Sequence, residues 1–157
     1  MDYLLKAQIT RIYCVLSHAR QPPVMSRIQR FTEFEAFKKC RVFVREVGLL
    51  LKRPAASQDL ELQHQARRAM ISVLANFGEG FEREGSKEFI QFLSITKGSI
   101  GELRGQLIYR VDQSYFPPET QERVDLLGEE ASKLVGGLMK YLASHQQRHG
   151  RKFAHED

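Results

Sequence analysis

From residue 30 onward, apolar side chains recur at three- and four-residue spacing in four separate runs. The first is Phe37, Cys40, Val44, Val47 and Leu51, widened by Ala36, Phe43 and Leu50, which predicts one buried helical stripe. It opens on Thr32-Glu33-Phe34-Glu35, a capping-box pattern that places the helix start near Thr32, and it should stop around Lys52-Arg53, before Pro54. A second helix is predicted from about Gln58 to Arg83. Its seam is Leu62, Ala66, Ala69, Val73, Asn76 and Gly80, with Ile71, Leu74 and Phe77 on adjacent positions. Gly85 is suited to end that helix and Ser86 to cap the next. The third carries Phe89, Leu93, Thr96, Ile100, Leu103 and Leu107, out to about Val111. The fourth, entered through Tyr115-Phe116-Pro117-Pro118, carries Val124, Leu127, Ala131, Leu134, Leu138 and Tyr141. Strand alternation and longer repeats are absent from the sequence. The expected fold is all-α, an antiparallel up-down-up-down four-helix bundle.

The pattern divides the chain into residues 1–29, an extension outside the fold; 30–143, the bundle; and 144–157, a polar tail with nothing to bury. Both ends are expected to be flexible. Residues 1–24 could form a short helix up to Gln21, which Pro22-Pro23 would stop. Met25 then opens a run that reads like a natural beginning, so either Met1 or Met25 could be the start.

A second stripe, of small residues, lies beside the large one on the third helix: Ser94, Gly98, Gly101 and Gly105. Each interior glycine costs a helix roughly 1 kcal/mol relative to alanine, so three on one line suggest that another backbone approaches. Gly128, Ser132 and Gly136, with Gly137 beside them, offer a similar set on the fourth helix. The approach is either close helix packing within one chain or a seam between subunits.

Composition changes this picture little. With 157 residues, 42% hydrophobic and 27% charged, the chain is one ordinary folded domain in size and make-up. Cys14 and Cys40 make neither a disulfide framework nor a zinc pattern, and Cys40 falls on the apolar stripe as a small core residue. The absence of a long apolar run or a convincing signal peptide makes a cytoplasmic protein the expectation, with no membrane partner. The pI near 9.4 has a local origin. Lys6, Arg11, Arg20, Arg27 and Arg30 face only Asp2 near the start, whereas residues 31–142 balance sixteen basic against sixteen acidic side chains.

Within the balanced segment, charge is still uneven. Residues 31–53 hold six basic and three acidic side chains, and residues 118–142 hold three basic and five acidic. Lys38, Arg41, Arg45 and Lys52 share one face of the first helix, with Lys39 and Arg53 near it. Such a face could be simply solvated, could meet an acidic fourth helix of a neighbouring subunit, or could line a surface for phosphates. On the second helix, Ser72, Asn76, Glu79 and Arg83 form a polar line, with Glu79 and Arg83 placed to pair. That line is either a network fixing helix register or a ligand or RNA contact. Catalytic chemistry is not legible. A carboxylate-bridged di-metal bundle needs two Glu-x-x-His pairs, and only Glu61-Leu62-Gln63-His64 fits; His145, His149 and His155 lack rigid spacing. No metal, cofactor or small-molecule substrate is expected.

The run Gln65-Ala66-Arg67-Arg68-Ala69, then Ser72, then Asn76-Phe77-Gly78-Glu79-Gly80-Phe81 resembles a known signature. With Ser86-Lys87-Glu88-Phe89, Phe92-Leu93, Gly98-Ser99 and Glu102-Leu103, the chain over about residues 30–143 is similar to a bacterial four-helix-bundle family. That family was first known from intervening sequences of 23S ribosomal RNA genes, and its superfamily includes the accessory variability protein of diversity-generating retroelements. The resemblance implies an antiparallel bundle, a homopentamer and no catalytic activity. It also implies partners such as those of the retroelement relatives, which bind nucleic acid and a reverse transcriptase through basic surfaces. Phe77 and Gly78 depart from the usual small aliphatic residue and alanine, and Lys97 from alanine. The functional expectation is a non-enzymatic homo-oligomer that binds RNA or another nucleic acid through Lys38, Lys39, Arg41, Arg45, Lys52 and Arg53. The alternative is a purely structural or protein-binding scaffold.

Overall fold

The computed structural model describes residues 28–83 and 85–150, with side chains to His145. The expectations for residues 1–27, including the Met25 start and Cys14, and for residues 151–157 lie outside the described residues. Four long helices account for most of the described chain: α1 (Glu35–Leu51), α2 (Leu60–Glu82), α3 (Ser86–Asp112) and α4 (Pro118–Gly150). A 3-10 turn, Phe31–Glu33, precedes α1, and a single helical turn, Pro54–Ser57, joins α1 to α2. Among the described residues there is no strand. Contacts run from α1 to α2, α2 to α3, α3 to α4 and α4 back to α1, closing a ring around one apolar core.

One end of that core is aromatic. Phe34, Phe77, Phe81 and Phe89 pack edge-to-face, with Phe34 centroids 5.7 Å from Phe77, 5.7 Å from Phe81 and 6.0 Å from Phe89, and Phe31 and Phe37 join at 4.9 Å from each other. This cluster explains a departure from the expected capping box. Phe34 must turn inward, so it is extended (φ −63°, ψ 131°) and serves as the N-cap of α1 without any side-chain cap bond. Thr32 sits in the 3-10 turn, and the helix starts three residues later than its pattern suggested.

The middle of the core is aliphatic and narrow. Cys40, Val47, Ala66, Val73, Leu93, Ile100, Leu103, Ala131 and Val135 are fully buried. On α4 the buried line is Val124, Gly128, Ala131, Val135 and Leu142, while Leu127, Leu134, Leu138 and Tyr141 are only half-buried. The stripe is rotated from the expected one because Gly128 admits the Phe43 ring, which would stand 2.8 Å from a Cβ there. On α2 the burial is likewise centred on Val73 and Phe77, and Ile71 points to solvent at 68% exposure. At the α2–α3 break, Gly85 caps α3 at φ +124°, a conformation that favours glycine, and Ser86 is the first helical residue and not the cap. Helix α4 continues beyond its apolar stripe to Gly150.

The other end of the core is polar and tied by specific bonds. Gln63 Nε2 donates to Leu51 O at 2.6 Å and Ala56 O at 3.0 Å, fastening the first turn of α2 to the end of α1. Asp59, the N-cap of α2, accepts from Leu62 N at 3.0 Å and from the Tyr115 hydroxyl at 2.9 Å. Arg110, fully buried, donates to Leu62 O at 3.1 Å and Gln106 O at 3.2 Å. Between α3 and α4, Arg104 and Asp125 form a two-pronged ion pair at 2.6 and 2.9 Å.

Candidate nucleic-acid interface

The basic residues of α1 divide between two sides. Lys38, Arg41 and Arg45 line a shallow hollow of about 430 Å³ against Val42, Val44 and Leu74. Lys39 faces the other way and pairs with Glu130 of α4 at 2.8 Å, apart from the hollow that Lys38, Arg41 and Arg45 line. Its ammonium is held above the ordinary lysine range by that hydrogen bond and charge. Lys38 pairs with Glu35 at 3.3 Å and Arg45 with Glu46 at 3.1 Å, both exposed arrangements that solvent weakens. Lys52 lines a second hollow of about 430 Å³ near the start of α2, shared with His64, Arg67, Met70 and Gly48. Arg53 is exposed at the N-cap of the Pro54–Ser57 turn. Neither hollow has an acidic residue in its lining.

The polar line of α2 breaks into two parts. Asn76 Nδ2 donates to Ser72 O at 2.8 Å and to Ser72 Oγ at 2.9 Å. Ser72 Oγ shares a hydrogen bond with Ser99 Oγ of α3 at 2.8 Å, and Ser99 donates to Ile95 O at 3.1 Å. Ser72 and Asn76 are half-buried and Ser99 is buried along the α2–α3 contact, and Ser72 O and Oγ together accept both N–H donors of the Asn76 amide. Glu79 and Arg83 form a separate, exposed pair at 2.8 Å.

Among the described residues, nothing packs on the small residues of α3. A Cβ placed on Gly98, Gly101 or Gly105 would meet no atom within 4 Å, and Ser94 beside them is exposed. Packing among the described helices therefore does not account for this stripe. Ile108 and Tyr109, on the same side of the helix, are 54% and 48% exposed. Where this chain does need a missing side chain is Gly80, whose Cβ would fall 2.5 Å from Phe92 Cβ.

Two features escaped the sequence reading. Arg110 lies three residues beyond Leu107 on the apolar stripe, a position that could have marked it as buried; burial pushes its guanidinium below the ordinary value. The acidic cleft of about 620 Å³ formed by Asp59, Glu61, Glu102 and Tyr109 brings together carboxylates from two helices, which spacing within one helix does not disclose. Among the described residues no three His, Cys, Asp or Glu side chains group to hold a metal ion, and no helix is long and apolar enough to cross a membrane.

The described residues form an all-helical ring around one apolar core, with a basic hollow on one side and an exposed glycine-lined face on another. The family model for the 23S rRNA-intervening sequence protein matches residues 32–137, more than half of the chain, and the chain belongs to that family. No curated protein matches it significantly.

Proposed function

We propose that this protein is a non-enzymatic, self-assembling helical bundle that binds RNA or another nucleic acid through the basic face of α1. The observation that carries the reading is the hollow where Lys38, Arg41 and Arg45 converge over an apolar bed, three cations against the two carboxylates, Glu35 and Glu46, that pair with Lys38 and Arg45 from outside its lining. A local excess of positive charge favours a polyanion. We read the ring of helices as an antiparallel up-down-up-down bundle. Supporting this, Gln63 at the start of α2 bonds Leu51 at the end of α1, and Phe77 near the end of α2 packs edge-to-face on Phe89 near the start of α3 at 5.8 Å.

Self-assembly rests on the exposed glycine stripe of α3, flanked by Ile108 and Tyr109, which a second copy would cover. The family resemblance favours five subunits and, for retroelement-like members, a reverse transcriptase as a further partner; the cytoplasmic location we propose rests on the sequence, which has neither a long apolar run nor a convincing signal peptide. A second reading, a scaffold that binds only proteins, draws support from the pairing of Lys38, Lys39 and Arg45 with in-chain carboxylates.

Titration of a labelled RNA oligonucleotide at several salt concentrations separates the two. Phosphate contacts predict an affinity that falls linearly in log–log form, with a slope that Arg41→Ala and Arg45→Ala each flatten by about 0.7–0.9. No binding of any oligonucleotide at low salt leaves the protein-scaffold reading standing.

A further inference from the structure

We infer that the recognition element is the entire groove between α1 and α2, and that its ligand is an unpaired nucleic-acid strand. This rests on the nucleic-acid reading above and extends it to α2, whose His64 and Arg67 that reading does not use. The two basic hollows occupy consecutive turns of the same helix pair. Arg45 and Gly48 are one turn apart on α1, and Leu74 and Met70 one turn apart on α2, so the hollows follow one another along a single groove. From Lys38 to Lys52 that groove runs about 21 Å at 1.5 Å per residue.

Its cross-section has a distinct chemistry. Lys38, Arg41, Arg45 and Lys52 stand on the α1 wall, and Arg67 and His64 on the α2 wall. The floor between them is apolar, formed by Val42, Leu51, Met70 and Leu74. Gly48 deepens it, since a Cβ there would already stand 3.1 Å from Met70 Cε. Cations on both rims of an apolar floor match a ligand that carries phosphates along its backbone and flat, weakly polar faces at its side. An unpaired strand has that form, because its bases can leave the stack, lie on the guanidinium planes and the His64 ring, and cover apolar floor that water would otherwise wet. A duplex keeps its base faces inside and could touch only the rim cations. Arg67 makes no ion pair with the carboxylates of the described residues, so its charge is not already committed. The groove length suits the lower end of the roughly 4–16 nucleotides held by single-strand grooves.

The test is fluorescence anisotropy with the full chain and three labelled probes: a ten-nucleotide oligouridylate, an RNA duplex of equal length, and an abasic oligomer of the same backbone. The oligouridylate should bind about tenfold tighter than either of the others at matched salt, the difference expected when even one base gains a face to lie on. Arg67→Ala should weaken it about 3- to 10-fold and flatten the salt slope by about 0.7. Gly48→Leu, which fills the floor, should weaken the oligouridylate and leave the abasic probe unchanged. Arg67→Ala, on an exposed position, keeps the test decisive if Gly48→Leu disturbs the fold. Equal or tighter duplex binding overturns the unpaired-strand assignment. Binding that Arg41→Ala weakens but Arg67→Ala does not overturns the groove and keeps the α1 face. No binding of any probe at low salt overturns both.

Discussion

Gly80 decides how closely α2 and α3 can approach. A Cβ there would lie 2.5 Å from Phe92 Cβ and 3.0 Å from Phe89 Cδ2, and the first of these atoms is fixed by the α3 backbone. Alanine at this position gains up to about 1 kcal/mol in helix propensity, yet it must force the two helices apart or displace the aromatic cluster. We expect Gly80→Ala to lower stability by about 1–3 kcal/mol in urea denaturation, against the direction that propensity alone gives. Cys40, by contrast, behaves as an apolar residue: it is fully buried, and desolvation pushes its thiol up to about 12. At this scale the sequence was informative where a residue type has one common use. The apolar stripes of α1 and α3 were legible from spacing alone, since Phe37, Cys40, Leu93 and Leu103 can be satisfied only inside. Arg110 was not, because an arginine on a seam is so costly to bury that only the two backbone carbonyls waiting for it, Leu62 O and Gln106 O, make sense of the position.

At the scale of elements, the helix ends were harder to read than the helix bodies, because caps answer to what lies next to them in space. The capping box at Thr32 lost to the burial of Phe34, and Ser86 lost to Gly85, whose left-handed backbone makes the turn. The cap that does form is Asp59, and it serves two elements at once through Leu62 N and the Tyr115 hydroxyl. Both donors stabilise the ionised carboxylate, Leu62 N most and Tyr115 next, so the folded acid titrates below its unfolded value of 3.8. The stabilisation it supplies is therefore complete above that value and is lost as pH falls through the depressed folded one. Asp59→Asn, which keeps an acceptor but has no proton to take up, should show a shallower loss of stability on acidification than the unaltered chain. Tyr115→Phe, with one donor left, should fall between them. Denaturation midpoints measured across the acid range check this, and identical acid limbs for all three chains would remove Asp59 from the account. The basic groove shows the same limit of legibility. The α1 cations were visible as one face, but their alliance with Arg67 and the pairing of Lys39 with Glu130 depend on which helices lie alongside.

For the whole molecule, the cost and the use of the α3 glycines have to be reconciled. Gly98, Gly101 and Gly105 weaken a helix by roughly 1 kcal/mol each relative to alanine, and nothing among the described residues comes within 4 Å of where their side chains would be. A penalty with no return among the described residues fits the proposed self-assembly, in which close backbone approach is gained only when another copy packs on this face. Two measurements on the same variants follow, and they should move in opposite directions. Replacing the three glycines with alanine should raise the stability of the isolated subunit by up to about 3 kcal/mol, if the propensities add across exposed positions. The same change should shift sedimentation toward smaller species, because each methyl group holds the neighbouring backbone away. Gly101→Leu should complete the dissociation while leaving the helical content of the monomer intact, since its side chain would enter open space. If these variants unfold, the face is occupied within the subunit. If they assemble as before, the glycines serve neither packing nor assembly, and Ile108 and Tyr109 await a different partner.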